Sequence, residues 1–303
     1  MEDKQGNGVV LFCYNNDQLD YTRFAIVAAT YAKKQLKLPV SIIVDDGTKG
    51  WMEETHSKEL LDATFDKMIV ENGGVANKRN MRRHMDSPWT EFNAPFYNNT
   101  KHDVYTLTPY EKTLLIDTDY LICNDFYNYI FDTDEAVALH RYATYVGHDI
   151  PYVNEITLNN AGINHWWSTI VYFDQSEESK LFFDIWSHVK DNWEYYSLLY
   201  QFPRLLFRTD FCVSIAVHLM NGLNNDDFVH DFLGQPLLNM DQKDDIAKIN
   251  GYKDVVFLKH NRKEQWKNVL CRYTDQNLHI MNKRSLDRHY DDLMKFANEA
   301  TNV

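Results

Sequence analysis

The stretch LLIDTDYLI, residues 114–122, decides the fold of this chain. The apolar residues before Asp117 predict a buried strand, and the polar DTD that follows predicts the point where that strand ends. In extended backbone, alternate side chains project to the same face, which would place Asp117 beside Asp119. Two carboxylates at a strand end make a hard-oxygen site suited to Mg²⁺ or Mn²⁺. An acidic turn without a ligand is the alternative.

A second DTD occurs at residues 132–134. It follows the aromatic run 127–131, so no strand-like aliphatic stretch leads into it. This context favours residues 117–119 as the metal motif, because a short motif gains meaning only from the element that presents it.

The N-terminal part predicts a parallel sheet. Residues 8–15 form an apolar strand, Asp20 caps a helix that runs to about Leu36, and a second apolar strand covers residues 40–44. This strand–helix–strand order predicts a right-handed crossover. Ligands bind beyond the carboxyl ends of such strands, where Asp45 and Asp46 would lie.

The rest of the chain predicts more strands and helices around that sheet. Residues 72–102 are polar and predict loops. We expect one α/β domain over 1–303, with a mixed, mainly parallel central sheet flanked by helices. Its two halves would be residues 8–125 and residues 126–303, and the second half would end in a helix. The remaining elements are helices at 53–66, 177–199, 209–221 and 285–300, and strands at 68–70, 166–173, 255–258 and 278–281.

Charge and cysteine usage exclude several classes. The formal net charge of −13 disfavours nonspecific nucleic-acid binding, although residues 77–84 form one dense basic run. The four cysteines form no CxxC pair, so a zinc knuckle is not indicated and reduced core thiols are expected. With no apolar leader or span, the sequence predicts a soluble, cytoplasmic protein.

The order of the first strand, the acidic pair after the second strand and LLIDTD resembles the GT-A glycosyltransferases, which have a Rossmann-like fold. The resemblance covers residues 8–280 by element order and is specific around 110–122. It implies a nucleotide-sugar donor, such as a UDP-sugar, together with Mn²⁺ or Mg²⁺. It also implies that residues 8–125 bind the nucleotide-sugar and that residues 126–303 bind the acceptor. It implies that Asp117 contacts ribose or metal, that Asp119 binds metal, and that Asp45 or Asp46 reads the base or ribose. A solvated turn is the alternative for the last two.

The same resemblance implies a late histidine as a further metal ligand. His279 is favoured over His260 because a short apolar strand contains it. Lys283 follows His279 closely and could reach the diphosphate. A half-buried histidine with a backbone partner is the alternative for either position.

The family also commonly uses a basic residue before the metal motif to clamp the diphosphate or sugar. Arg79 or Arg83 fits that role, since a guanidinium binds phosphate oxygens bidentately; contact with an anionic acceptor or a solvated surface are the alternatives. Asp210, at the start of a late helix, matches the acceptor-side base of an inverting enzyme. A plain helix cap is the competing interpretation of Asp210.

Motifs of other enzyme classes are absent: the sequence contains no GxGxxG, GxxxxGK[ST], GxSxG or HExxH. A nucleotidyltransferase is the competing enzyme class, although no glycine-rich loop follows the first strand. A catalytically inactive binding module is the competing class outside enzymes. The composition, rich in Asp, Asn and Tyr, is also similar to that of glycosyltransferases of tailed bacteriophages. This similarity implies hydroxylated cytosine in DNA as a candidate acceptor, contacted through residues 77–84.

Overall fold

The computed structural model describes residues 4–16, 18–72, 81–87, 89–95, 100–147, 157–158, 162–202, 207–223, 228–232, 234–261 and 267–300, with only the backbone described at 81–86 and 90–95. Arg79 and the first part of the basic run, 77–80, lie outside these residues.

The described strands and helices alternate along the first half of the chain and segregate in the second. The strands are β1 (Asn7–Cys13), β2 (Val40–Val44), β3 (Lys67–Val70), β4 (Met81–Ser87), β5 (Thr90–Pro95), β6 (Lys112–Ile116), β7 (Tyr120–Leu121), β8 (Val137–His140), β9 (Ala143–Tyr145), β10 (Thr157–Leu158), β11 (Ile163–Asn164), β12 (Trp167–Phe173), β13 (His230–Asp231), β14 (Leu237–Met240), β15 (Asp245–Gly251), β16 (Asp254–Lys259), β17 (Val269–Thr274) and β18 (Leu278–Ile280). The helices are α1 (Tyr21–Leu36), α2 (Asp46–Thr55), α3 (Lys58–Thr64), α4 (Val104–Leu107), α5 (Glu177–Asp191), α6 (Trp193–Leu199), α7 (Thr209–Met220), α8 (Lys283–Arg288) and α9 (Tyr290–Glu299).

The central sheet has seven described strands in the order β13-β8-β12-β6-β1-β2-β3. Strands β1, β2, β3 and β6 are parallel, whereas β12 runs antiparallel to both β6 and β8. The predicted α/β class, with a mixed and mainly parallel sheet flanked by helices, is confirmed. The division of the chain at residue 125 stays a prediction.

Alternating side chains of β1 enter two different apolar cores. Val9 and Leu11 pack on the face covered by α1, and Val10 and Phe12 pack on the face covered by α5 and α7. A strand buried on both faces is a continuous apolar run, which is the pattern that identified it in the sequence. Packing on both faces therefore fixes the position of β1 in the sheet.

The predicted helix boundaries are partly right. Asp20 does cap α1, accepting from the backbone N–H of Thr22 at 3.0 Å. The expected helix at 53–66 is in fact α2 and α3, because His56 is extended and Ser57 caps a new helix. The stretches 177–199 and 285–300 are likewise each divided into two helices.

The loop-rich stretch 72–102 contains an antiparallel hairpin of β4 and β5, which the sequence did not predict. Its residues are mostly polar, and the hydrophobic alternation that identifies strands in a sequence is therefore weak. Strand β4 lies against helix α8.

Cys13, Cys123 and Cys212 are buried free thiols, as expected. Cys271 departs from that expectation because it lies half-buried in β17, the outer strand of the β15-β16-β17 sheet. No helix in the described part of the chain combines the length and apolar character that crossing a membrane requires.

Candidate active site

The DTD motif lies in the turn that joins two sheets. Strand β6 ends at Ile116 in the central sheet, and β7 begins at Tyr120 in a second sheet of order β7-β18-β14-β9. The backbone N–H of Tyr120 donates to the Asp117 carbonyl at 3.1 Å, which closes the turn. The expected extended backbone at 117–119 is therefore wrong. The two carboxylates nevertheless meet, because the turn folds them toward one another.

His279 reaches this turn through β18. Its strand pairs antiparallel with β7, which sets His279 opposite Tyr120, and the backbone N–H of Ile280 donates to the Asp119 carbonyl at 2.9 Å. The Nε2 atom of His279 lies 3.5 Å from Oδ2 of Asp119. Strand pairing thus brings together residues that are 160 positions apart.

Asp117, Asp119 and His279 each present one ligand atom, and these atoms lie within 4.8 Å of one another. Within the described ranges no other group of three histidine, cysteine or acidic side chains has this geometry. Two carboxylate oxygens and an imidazole nitrogen fit a divalent cation such as Mn²⁺ or Mg²⁺, with positions left for a ligand's oxygens.

Two lysines neutralise the acidic pair. Lys101 Nζ donates to Asp117 Oδ1 at 2.6 Å and to the Ser168 carbonyl at 2.5 Å, and its side chain is only 4% exposed. Lys283 Nζ donates to Asp119 Oδ2 at 2.7 Å. Lys283 was predicted from its position after His279, whereas the sequence context of Lys101 carries no signal. Only its burial beside Asp117 reveals Lys101 as part of the site.

The electrostatics separate the two carboxylates. Burial alone would raise the pKa of Asp119, but Lys283 and His279 hold it far below its usual range. For Asp117, burial raises the pKa despite Lys101, and the negative charge of Asp119 adds to the rise. Asp119 is therefore the more strongly ionised of the two.

Asp210 connects to the same cluster through Ser168. Its Oδ1 accepts from the Ser168 backbone N–H at 2.9 Å and from the Ser168 hydroxyl at 2.6 Å. The Ser168 carbonyl in turn accepts from Lys101. Hydrogen bonds through Lys101 and Ser168 therefore connect Asp117 to Asp210.

The helix-cap interpretation of Asp210 is wrong. Helix α7 has Arg208 at its N-cap position without a side-chain cap bond, and Asp210 is the second helical residue. Burial alone would raise the pKa of Asp210, but Arg208, His165 and the two Ser168 donors lower it to about 2. The carboxylate is thus ionised and already occupied by hydrogen bonds.

Asp45 and Asp46 lie at the carboxyl end of β2, as expected, and both are engaged by the chain. Asp45 caps α2 by accepting from the Thr48 backbone N–H at 2.6 Å. Asp46 accepts from Asn72 Nδ2 at 2.7 Å and is exposed. Asp46 is the more accessible to a ligand.

His260 and the second DTD motif lie outside this cluster. His260 has its Nε2 atom 3.4 Å from Asp245 Oδ2 and is not in the metal-competent group. Asp132 and Asp134 are exposed around the end of a short 3-10 segment, Phe126–Asp132. Trp166 and Trp167 are each 5% exposed and pack in the apolar cores on the two faces of the central sheet. Arg83 lies in β4, where the structure describes only the backbone.

No protein-family model and no curated protein matches this chain. Among solved structures, the galactosyltransferase LgtC in complex with donor and acceptor sugar analogs is similar at 9% identity, covering 96% of this chain and 95% of LgtC with a TM-score of 0.49. The glycosyltransferase GlyE of Streptococcus pneumoniae TIGR4 is similar at 10% identity over 74% of this chain, with a TM-score of 0.41, and the chain spans only 45% of its length. Mouse xyloside xylosyltransferase 1 is similar at 12% identity, over 71% of this chain and 83% of its own, with a TM-score of 0.42. All three TM-scores lie below 0.5, so the proposals below rest on this chain's own residues.

Proposed function

We propose that this chain is a glycosyltransferase that moves a sugar from a nucleotide-diphosphate donor to an acceptor hydroxyl with the help of Mn²⁺ or Mg²⁺. The observation that carries the proposal is the group Asp117, Asp119 and His279 at the carboxyl edge of the central sheet. Open α/β sheets bind their ligands at that edge. The sequence resemblance to GT-A enzymes specifies the reaction class.

The chain's residues divide the work of binding the donor. Asp117, Asp119 and His279 would hold the cation, which as a Lewis acid stabilises the charge of the departing diphosphate. Lys283 stands beside Asp119, where its ammonium can neutralise a phosphate oxygen. Lys101 holds Asp117 in position from the buried side. Lysines on two sides of the acidic pair suit a ligand that carries both a cation and phosphates.

We propose a UDP-sugar as the donor, with its nucleoside beyond β1 and β2. Asp46 is the candidate for reading the base or ribose because it is exposed at the end of β2. Asp45 would support this nucleoside site indirectly, because it caps α2 next to Asp46. Arg79 and Arg83 stay candidates for the diphosphate clamp; the placement of β4 against α8, which begins at Lys283, supports Arg83.

Asp210 is the proposed acceptor-side carboxylate. With a pKa of about 2, it is ionised at neutral pH and can accept a proton from an acceptor hydroxyl. So low a pKa makes it a weak general base, since proton transfer is most effective when the pKa lies near the working pH. Its bonds to Ser168 also align the backbone that holds Lys101.

For the acceptor, we propose DNA carrying a hydroxylated cytosine, contacted through the β4–β5 hairpin. Arg82 and Arg83 lie in β4, and Trp89 at the hairpin turn is 88% exposed. Exposed aromatics stack on unpaired bases, and arginines contact phosphates. Extrusion of the target base would bring its hydroxyl to the sugar. Glycan, protein and small-molecule acceptors are the alternatives.

The test is a screen for nucleotide release. Purified protein is incubated with a panel of UDP-sugars and Mn²⁺, and free UDP is measured with and without candidate acceptors. We expect UDP release in the wild type and its loss in Asp119→Asn, while the exposed Asp132→Asn serves as a matched control with full activity. A nucleotidyltransferase would instead release pyrophosphate from a nucleoside triphosphate. Full UDP release in excess chelator would contradict metal dependence.

A further inference from the structure

We propose that Asn239 is a positioning residue that fixes the ring orientation and tautomer of His279, so that Nε2 offers its lone pair to a divalent cation. The inference rests on the proposed metal site. Neither the sequence pattern nor the resemblance points to Asn239, which lies in β14, two strands from the DTD turn.

The geometry places the Asn239 amide directly behind His279. Strands β14 and β18 are parallel neighbours, with Asn239 opposite His279 in the register. The Asn239 Oδ1 atom lies 2.9 Å from His279 Nδ1, and Asn239 is 0% exposed. On its other side, His279 directs Nε2 at Asp119 Oδ2, 3.5 Å away. The imidazole is therefore held between an amide oxygen and the acidic cluster.

This arrangement selects one neutral tautomer. An amide oxygen only accepts, so Nδ1 must carry the ring proton and donate it to Asn239. The Nε2 lone pair is then free and faces the two carboxylates. Histidines that bind metals commonly donate their second ring N–H to an oxygen in this way, which fixes the tautomer. With the proton on Nε2 instead, His279 would hydrogen-bond Asp119 but could not bind a cation.

The second half of the Asn239 amide argues against a purely structural role. Within the described part of the chain, the buried Nδ2 atom has no hydrogen-bond partner. A buried donor without a partner destabilises the folded state, and an apolar side chain of similar shape avoids that penalty. Leucine at this position should therefore be tolerated by the fold, although it removes the acceptor for His279.

Asn239→Leu thus separates two roles that most substitutions change together. If Asn239 positions His279, the variant binds Mn²⁺ about 10- to 100-fold more weakly. Its melting temperature without metal should change little, because removal of the unpartnered Nδ2 atom offsets the loss of the acceptor for His279 Nδ1. Asn239→Asp keeps the acceptor oxygen and should retain at least the wild-type Mn²⁺ affinity. Asn164→Leu is the matched control: Asn164 is a buried asparagine outside the β7–β18 pairing, and its Oδ1 accepts from Arg141 at 2.8 Å. It should lower stability and leave Mn²⁺ affinity unchanged.

The measurements are Mn²⁺ titrations by calorimetry, thermal unfolding in chelator, and ¹⁵N NMR of the histidine rings of the metal-free protein. We expect the wild-type His279 signal to show protonated Nδ1, and Asn239→Leu to lose that preference. In a His279→Gln background, Asn239→Leu should produce no further loss of Mn²⁺ affinity, because its effect passes through His279.

Three outcomes would overturn the inference. The first is unchanged Mn²⁺ affinity in Asn239→Leu while His279→Gln weakens binding, which rejects Asn239 and leaves the metal site intact. The second is a wild-type NMR signal with a proton on Nε2 and none on Nδ1, which needs no variant to fold. The third is the absence of Mn²⁺ binding in the wild type, which rejects the metal site of the proposed function together with the role of Asn239.

Discussion

Replacing Lys101 by methionine tests how the acidic pair is held together in the absence of a cation. Methionine keeps most of the length and apolar surface of the lysine stem but removes the ammonium. The change leaves Asp117 Oδ1 and the Ser168 carbonyl without the donor that each has now. Because Lys101 is 4% exposed, water cannot readily take its place.

The expected loss of stability is intermediate. Removing one partner of a fully buried ion pair costs about 3 to 5 kcal/mol. Asp117 is 29% exposed, so part of that penalty is screened, and the carboxyl can also take up a proton. We expect Lys101→Met to lower the free energy of unfolding by about 2 to 3 kcal/mol in chelator.

The assay is urea unfolding at pH 7, with chelator or with Mn²⁺. A ligand at 100 times its dissociation constant stabilises the folded state by about 2.7 kcal/mol. Without Lys101, the cation no longer competes with an ammonium for Asp117, so Mn²⁺ should stabilise the variant more than the wild type. The matched control is Lys112→Met, since Lys112 donates at 2.8 Å to the carbonyls of Phe131 and Thr133 and touches no carboxylate of the cluster.

Two results would refute this reasoning. A loss below about 0.5 kcal/mol in chelator would mean that the Lys101 contacts are weak in solution. Equal stabilisation by Mn²⁺ in the wild type, Lys101→Met and Lys112→Met would mean that the cation does not share Asp117 with Lys101.

Three other predictions concern Asp119, Asp210 and the two arginines of β4. Asp119→Asn should abolish Mn²⁺ binding measured by calorimetry, and retained affinity would remove Asp119 from the ligand set. The pKa of Asp210 is about 2 in the folded protein, whereas an ordinary aspartate has a pKa of 3.8. Ionisation of Asp210 therefore stabilises the fold above pH 3.8, and this contribution is lost as the pH falls toward 2. The wild type should therefore exceed Asp210→Asn by about 2 kcal/mol in urea unfolding at pH 7 and by less at pH 3, and a constant difference would reject the shift. Arg82→Ala/Arg83→Ala should weaken DNA binding and lower its salt-dependence slope by roughly one unit per lost phosphate contact, with UDP affinity little changed. Loss of UDP affinity would instead identify a diphosphate clamp.

Much of the central sheet follows from local pattern. The runs at 8–13, 40–44 and 113–116 are mostly apolar and buried on both faces, and polar residues follow each strand. Because parallel strands all end at one edge, the position of Asp45 relative to Asp117 follows from the order of elements alone. The same logic fails for β4 and β5, whose polar residues carry no alternating signal.

The candidate site is less predictable because distant pairings assemble it. The adjacency of His279 and Asp119 depends on β18 pairing with β7, and β7 has only two residues. Lys101 lies in a 3-10 turn, Lys101–Asp103, in a polar sequence context typical of solvent-exposed lysines. Its burial results from packing of this turn against α5 and from its bonds to Asp117 and Ser168, which no local pattern encodes.

The pairing of Lys101 with Asp117 and of Lys283 with Asp119 makes the cluster electrically neutral without any ion. Structural zinc sites differ, because their ligands repel or stay solvated until the metal arrives and folding waits for it. Here the lysines act as internal counter-ions, so we expect the fold to form without the cation. In the proposed enzyme the cation would then be an exchangeable component, bound and released without unfolding the protein.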